Sequence, residues 1–134
     1  MIRTCLRWLL AVFYLAAGVL HLVAPLPFLS ITPGWVPWPG AVVALTGAAE
    51  IAGAIGLAQS RSLRWRRAAA IGLAIYAVCV FPANINHFAI DMAREDGGLG
   101  LAYHVPRMFA QPLIVWLALW AGEVTDWPFT RRTQ

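Results

Sequence analysis

Four apolar runs, at about residues 6–24, 41–58, 68–89 and 105–122, alternate with three shorter polar or proline-rich connections. Each run is near the roughly 20 residues a helix needs to cross a bilayer. The pattern predicts an all-α fold, a four-transmembrane-helix bundle, with residues 1–134 forming a single integral membrane domain. Arg3 and Arg7 precede the first run, which ends in His21-Leu-Val-Ala-Pro25 without a small-x-small cleavage site, so it reads as an uncleaved signal anchor. Tyr14, Gly18 and His21 share one face by their spacing of four and three.

The connection at 25–40 holds five prolines, which exclude a regular helix there, and no charge. Phe28, Trp35 and Trp38 suit the headgroup level, either as an aromatic anchor or as a lid over polar groups beneath. The second run is small-faced, with Gly47, Gly53, Gly56 and several alanines, so that helix backbones can approach closely. Residues 59–67 form a basic loop that carries Arg61, Arg64, Arg66 and Arg67. Residues 90–104 form a flexible, acidic loop with a Gly-Gly-Leu-Gly run, and Pro106 fits the start of the fourth helix.

Polar residues inside these runs are costly in lipid and need partners. The richest stretch is Val80-Phe-Pro-Ala-Asn-Ile-Asn-His87, where Pro82 frees the carbonyl of Val78. Tyr76, Val80, Asn84, His87 and Asp91 follow one helical stripe, and Asn86 points elsewhere. His21, Glu50, Arg107 and Gln111 come to a similar height from the other runs, with Arg107 and Gln111 one turn apart. By the rise of about 1.5 Å per residue, Glu50 lies roughly 13–15 Å below the outer end of its helix. All the strongly polar groups then fall in the outer half. A carboxylate at mid-bilayer is disfavoured by roughly 3 kcal/mol, so Glu50 needs a proton or a partner, Arg107 or His21. The expected pairing is Glu50 with Arg107, directly or through Gln111. The site residues predicted to bind a ligand are His21, Glu50, Asn84, His87, Arg107 and Gln111. His21, His87 and Glu50 could supply three metal ligands, but no local spacing supports it and no metal is expected.

Composition agrees with the membrane reading and removes others. The chain is 60% hydrophobic and 12% charged, against roughly 25% charged in soluble domains, and its mean hydropathy is +0.68. A soluble enzyme is excluded. The net charge of +4 is all arginine, and the arginines cluster at run ends, so orientation explains them better than nucleic-acid binding. Arg3, Arg7, Arg61, Arg64, Arg66, Arg67, Arg131 and Arg132 fall on one side of a four-span chain, which predicts both termini in the cytoplasm. Cys5 and Cys79 are too far apart along the bilayer normal to pair within the chain.

Five stretches carry a resemblance: G-V-L-H-L-V-A-P at 18–25, W-V-P-W-P at 35–39, T-G-A-A-E-I-A-G at 46–53, V-F-P-A-N-I-N at 80–86 and V-P-R-M-F-A-Q-P at 105–112. As a set they resemble the DoxX-like family of small four-helix membrane proteins over nearly the whole chain. The last stretch departs from the family's R-L-P-L-Q form, with Met108, Phe109 and Ala110 between Arg107 and Gln111, but keeps the Arg-to-Gln spacing. The resemblance implies a multi-pass protein of a bacterial-type inner membrane; relatives include a subunit associated with a quinol oxidase, proteins found alongside thiol and oxidative-stress enzymes, and distant animal receptor-assembly chaperones. It does not supply an activity.

Three readings stand at this stage. The first is an accessory subunit of a redox system that binds a quinone-like lipophile in the outer-half polar pocket. There Arg107, His21 or Gln111 donates to a carbonyl oxygen and Glu50 manages a proton, with electrons from a redox-protein partner. The second is a membrane assembly or scaffolding protein whose polar layer only fixes helix packing. The third is a small transporter, which needs a homo-oligomer because four helices are few for alternating access.

Overall fold

The computed structural model describes residues 1–129, and these are all-helical, with no strand among them. Arg131 and Arg132, counted above in the charge asymmetry, lie outside the described residues. The helices are α1 (Ile2–Val23), α2 (Leu26–Ile31), α3 (Pro39–Ala58), α4 (Leu63–Met92) and α5 (Gly100–Ala121). Three of them, α1, α3 and α4, are long and apolar enough to cross a membrane. At 22 residues α5 is as long as α1. His104, Pro106, Arg107, Gln111 and Pro112 dilute the apolar character of its N-terminal part.

The predicted runs recur as helices, each reaching further than its apolar core. Ser62 caps α4 by accepting the Trp65 N–H, which starts that helix five residues before the apolar run. It then continues unbroken through Pro82 to Met92. Pro39 occupies the first position of α3, where its missing donor costs nothing. Two expectations need correction. The 25–40 connection is not wholly irregular, because Pro25 caps α2 and Pro27 lies in its first turn, where no intrahelical donor is required. Pro106 does not start α5; the helix begins at Gly100 and takes in the last residues assigned above to the loop.

The helices pack in the order α1, α3, α4, α5, and α1 meets α5 more lightly. Glycine lets α1 and α3 approach closely. A Cβ on Gly18 would lie 2.6 Å from the Gly47 carbonyl oxygen, and one on Gly47 would lie 2.7 Å from the His21 Cβ. Leu10, Tyr14, Leu57, Leu73, Ala74 and Ala118 form the packed centre. Within the apolar windows of α1, α3 and α4, only 28%, 33% and 28% of residues are buried. The rest, including Leu9, Leu45, Ile55, Ile75 and Val78, face outward and suit contact with hydrocarbon.

Ion pairs close one end of the bundle. Arg3 binds Asp126 at 2.6 Å and Arg66 binds Glu123 at 2.6 Å, so the starts of α1 and α4 meet the segment that follows α5. The Arg3 guanidinium also lies 4.6 Å from the centre of the Trp120 ring. At the opposite end α2 folds over the bundle, held by a 2.9 Å hydrogen bond from Asn86 Nδ2 to the Ile31 carbonyl.

Candidate ligand cavity

A cavity of about 590 Å³ lies beneath α2, between α1, α3, α4 and α5. That volume is ordinary for a small-molecule site. Its wall is mainly apolar, with Phe28, Val43, Val80 and Ile114 among the lining residues, and it reaches the bundle surface at the exposed rings of Phe13 and Trp35. His21, Glu50, Asn84, Arg107 and Gln111 all line it. Five of the six predicted site residues are thus brought together. The sixth, His87, does not line the cavity and sits behind Arg107.

Glu50 is 4% exposed. His21 Nδ1 lies 2.9 Å from Glu50 Oε2 and 2.9 Å from the carbonyl of Ala17, one turn earlier on α1. The Tyr76 hydroxyl hydrogen-bonds to the same carboxyl group. Phe28 of α2 stacks on the His21 ring with centroids 3.7 Å apart, so the short helix fixes the imidazole from above. Tyr14 packs edge-on against Tyr76, and its hydroxyl is buried without a hydrogen-bond partner among the described residues. The hydroxyl is closed off from the cavity space, so a ligand can satisfy it only where neighbouring side chains shift.

Across the cavity, Gln111 ties two helices together. Its Nε2 donates to the Ala77 carbonyl, and its Oε1 accepts from Asn84 Nδ2 at 3.0 Å. Arg107 donates through NH1 to His87 Nδ1 at 2.8 Å and lies 5.5 Å from the centre of the Tyr103 ring. Among the described residues no ion pair joins Glu50 to Arg107, directly or through Gln111. The expected pairing is corrected: His21 and Tyr76 serve Glu50, and His87 takes Arg107. Sequence depth ranks residues by height but does not fix helix rotation, and rotation decided the partners.

The metal trio weighed from sequence is also divided, since His21 and Glu50 pair while His87 joins another cluster. His87 Nε2 lies 3.5 Å from Asp91 Oδ2, and His104 Nε2 lies 2.9 Å from the same oxygen. The Leu99 N–H also donates to it, at 3.0 Å. In the turn between α4 and α5, Arg94 and then the Gly98 N–H hold the exposed Asp96 carboxyl well below the usual carboxylate range. That keeps the turn closed where it delivers Leu99 to Asp91. Sequence reasoning passed over His104 because it fell in the supposed loop, and it gave Tyr14 and Tyr76 no role. The i,i+4 spacing of His87 and Asp91 was the available signal for this cluster. Both cysteines are free and exposed, and Cys79 lies on the cavity wall.

A family model described as a domain of unknown function (DUF8561) matches residues 10–125, which take in α2 to α5 and all but the first two turns of α1. No curated protein and no solved structure matches the chain.

Proposed function

The chain belongs to the DUF8561 family, and we propose that it is an integral membrane protein that holds a quinone-like lipophile in its cavity as an accessory component of a redox system. The observation that carries this reading is the apolar cavity of about 590 Å³ that Tyr14, His21, Glu50 and Arg107 line. A flat, polar-headed lipophile matches that division between wall and head. Arg107 and Tyr14 donate to its oxygens, because the Gln111 amide is already engaged with Ala77 and Asn84. Glu50, hydrogen-bonded by Tyr76, exchanges a proton with the head group. Electrons come from a partner protein. The entrance at Phe13 and Trp35 opens on the lipid-facing side, where such a ligand is dissolved.

The membrane arrangement belongs to the same proposal. Four helices cross a bacterial-type inner membrane, with α5 as the fourth span and both termini cytoplasmic. The cavity then lies in the outer half. The resemblance to DoxX-like proteins is consistent with that arrangement and with a redox association.

The experiment is lipid extraction and native mass spectrometry of the protein purified in mild detergent. A stoichiometric quinone or similar lipophile is expected, and it should be lost in Tyr14→Phe and Arg107→Gln variants that remain folded. A preparation without any lipophile, whose stability does not change when quinone is added, overturns the reading. A second reading rests on the Gln111 bonds to Ala77 and Asn84, which join α5 to α4 whatever the cavity holds. It makes the polar layer a packing device of an assembly protein, and a co-purifying polypeptide with an empty cavity is its signature.

A further inference from the structure

We propose that His87, Asp91 and His104 form a binding site for one divalent transition-metal ion of the zinc class, at the α2 end of the bundle and separate from the cavity lining. One ligand atom from each of the three lies within 4.8 Å of the others. Two imidazoles and one carboxylate are a donor set that suits zinc and leaves a fourth position open. The spacing fits as well. In a tetrahedral site with bonds of about 2.0–2.1 Å, donor atoms stand about 3.3 Å apart. The two distances to Asp91 Oδ2, 2.9 and 3.5 Å, lie on either side of that value. The third pair, His87 and His104, lies within 4.8 Å, so side-chain movement has to draw the donors in around an ion.

The surroundings hold the donors in place. His87 and Asp91 project from one face of α4, a turn apart, and His104 reaches them from the second turn of α5. His104 is fully buried, and its ring is packed by Phe88 at 5.2 Å and Tyr103 at 5.0 Å. The Leu99 N–H orients the carboxylate, as partners of metal ligands commonly do. Gly98 at φ +56 leaves room for that carboxylate, which a Cβ there would strike.

Arg107 has to respond. Arginine only donates, so its bond to His87 Nδ1 leaves the ring hydrogen on Nε2, where it points at Asp91. An ion on Nε2 moves that hydrogen to Nδ1, and Arg107 must then leave His87. The Tyr103 ring and the cavity, both already beside the guanidinium, are where it can go. Metal loading therefore frees a cavity donor.

The test uses untagged full-length protein in detergent, stripped with chelator, exposed to zinc chloride and passed through gel filtration. Elemental mass spectrometry should find one zinc per chain. Asp91→Asn and His104→Gln should each weaken retention by at least about tenfold, while His21→Gln, in the other cluster, retains it. Wild-type protein that emerges without zinc overturns the proposal, as does equal retention by the Asp91→Asn and His104→Gln variants. Should those variants not fold, wild-type protein loaded with cobalt(II) gives the answer. Visible d–d bands with two paramagnetically shifted imidazole signals are expected, and their absence overturns the site.

Discussion

Glu50 receives a hydrogen bond from Tyr76 and lies 2.9 Å from His21 Nδ1, so the cluster joins side chains from three different helices. Side chains in contact couple by about 0.5–3 kcal/mol, whereas distant groups that share no partner add within about 0.5 kcal/mol. A double-mutant cycle between Glu50→Gln and His21→Ala should therefore show coupling in the first range. The cycle between Glu50→Gln and Arg107→Gln should be nearly additive. Denaturant titration in detergent measures both, and strong coupling of Glu50 to Arg107 would restore the pairing that the sequence suggested. Tyr14 makes a sharper point. Its hydroxyl lacks a partner, so Tyr14→Phe should leave stability unchanged or slightly higher, because an unmet buried hydroxyl is itself unfavourable. The same variant should lose bound lipophile. A stability loss of more than about 1 kcal/mol, the size of an ordinary internal hydrogen bond, would mean the hydroxyl is internal glue.

Between elements, the placement of Glu50 depends on how closely α1 and α3 meet. Gly18 and Gly47 face each other with no room for a methyl group against backbone oxygen, so Gly47→Ala must push the two helices apart. Overpacking of this kind costs about 1–3 kcal/mol, and here it also moves His21, whose Cβ lies against Gly47. The expected outcome is a lower unfolding midpoint together with loss of cavity ligand. Unchanged binding would show that the His21–Glu50 geometry does not matter to it. The short helix α2 behaves differently, because Asn86 holds its C-terminal end by one side-chain bond. Asn86→Leu should speed hydrogen exchange across residues 26–38 while leaving α3 and α4 protected. The long helices were legible in the sequence because apolar runs near 20 residues long have few alternatives. Helix α2 was not, because a count of prolines ignores that Pro25 and Pro27 fall where a helix has no donors to lose. The start of α5 was hidden for a related reason: polar residues and glycines, which usually mark a loop, here begin a helix that carries His104.

At the scale of the whole molecule, helical rise alone gathered five residues that line one cavity. What rise cannot give is rotation, so the partners of Glu50 and Arg107, and the cluster around Asp91, had to come from packing. Three spans would leave the start of α1 and the segment after α5 on opposite faces of the membrane, yet Arg3 and Asp126 are 2.6 Å apart. The proposed four-span arrangement, with α5 as the fourth, keeps those two ends on one face. The basic loop with Arg61, Arg64 and Arg67 lies at the same end as Arg3, as cytoplasmic loops do. Single-cysteine variants on a background without Cys5 and Cys79 test this arrangement with a membrane-impermeant maleimide on intact cells. Glu95→Cys, in the α4–α5 turn, should label from outside, and Ser60→Cys and Val124→Cys should label only after permeabilisation. Labelling of Val124→Cys from outside, with Ser60→Cys still protected, would mean that α5 does not cross and that the Arg3–Asp126 bond does not form in the membrane. The cavity would then lose one wall to the aqueous side, and a lipophile dissolved in the bilayer could no longer reach Arg107 from hydrocarbon.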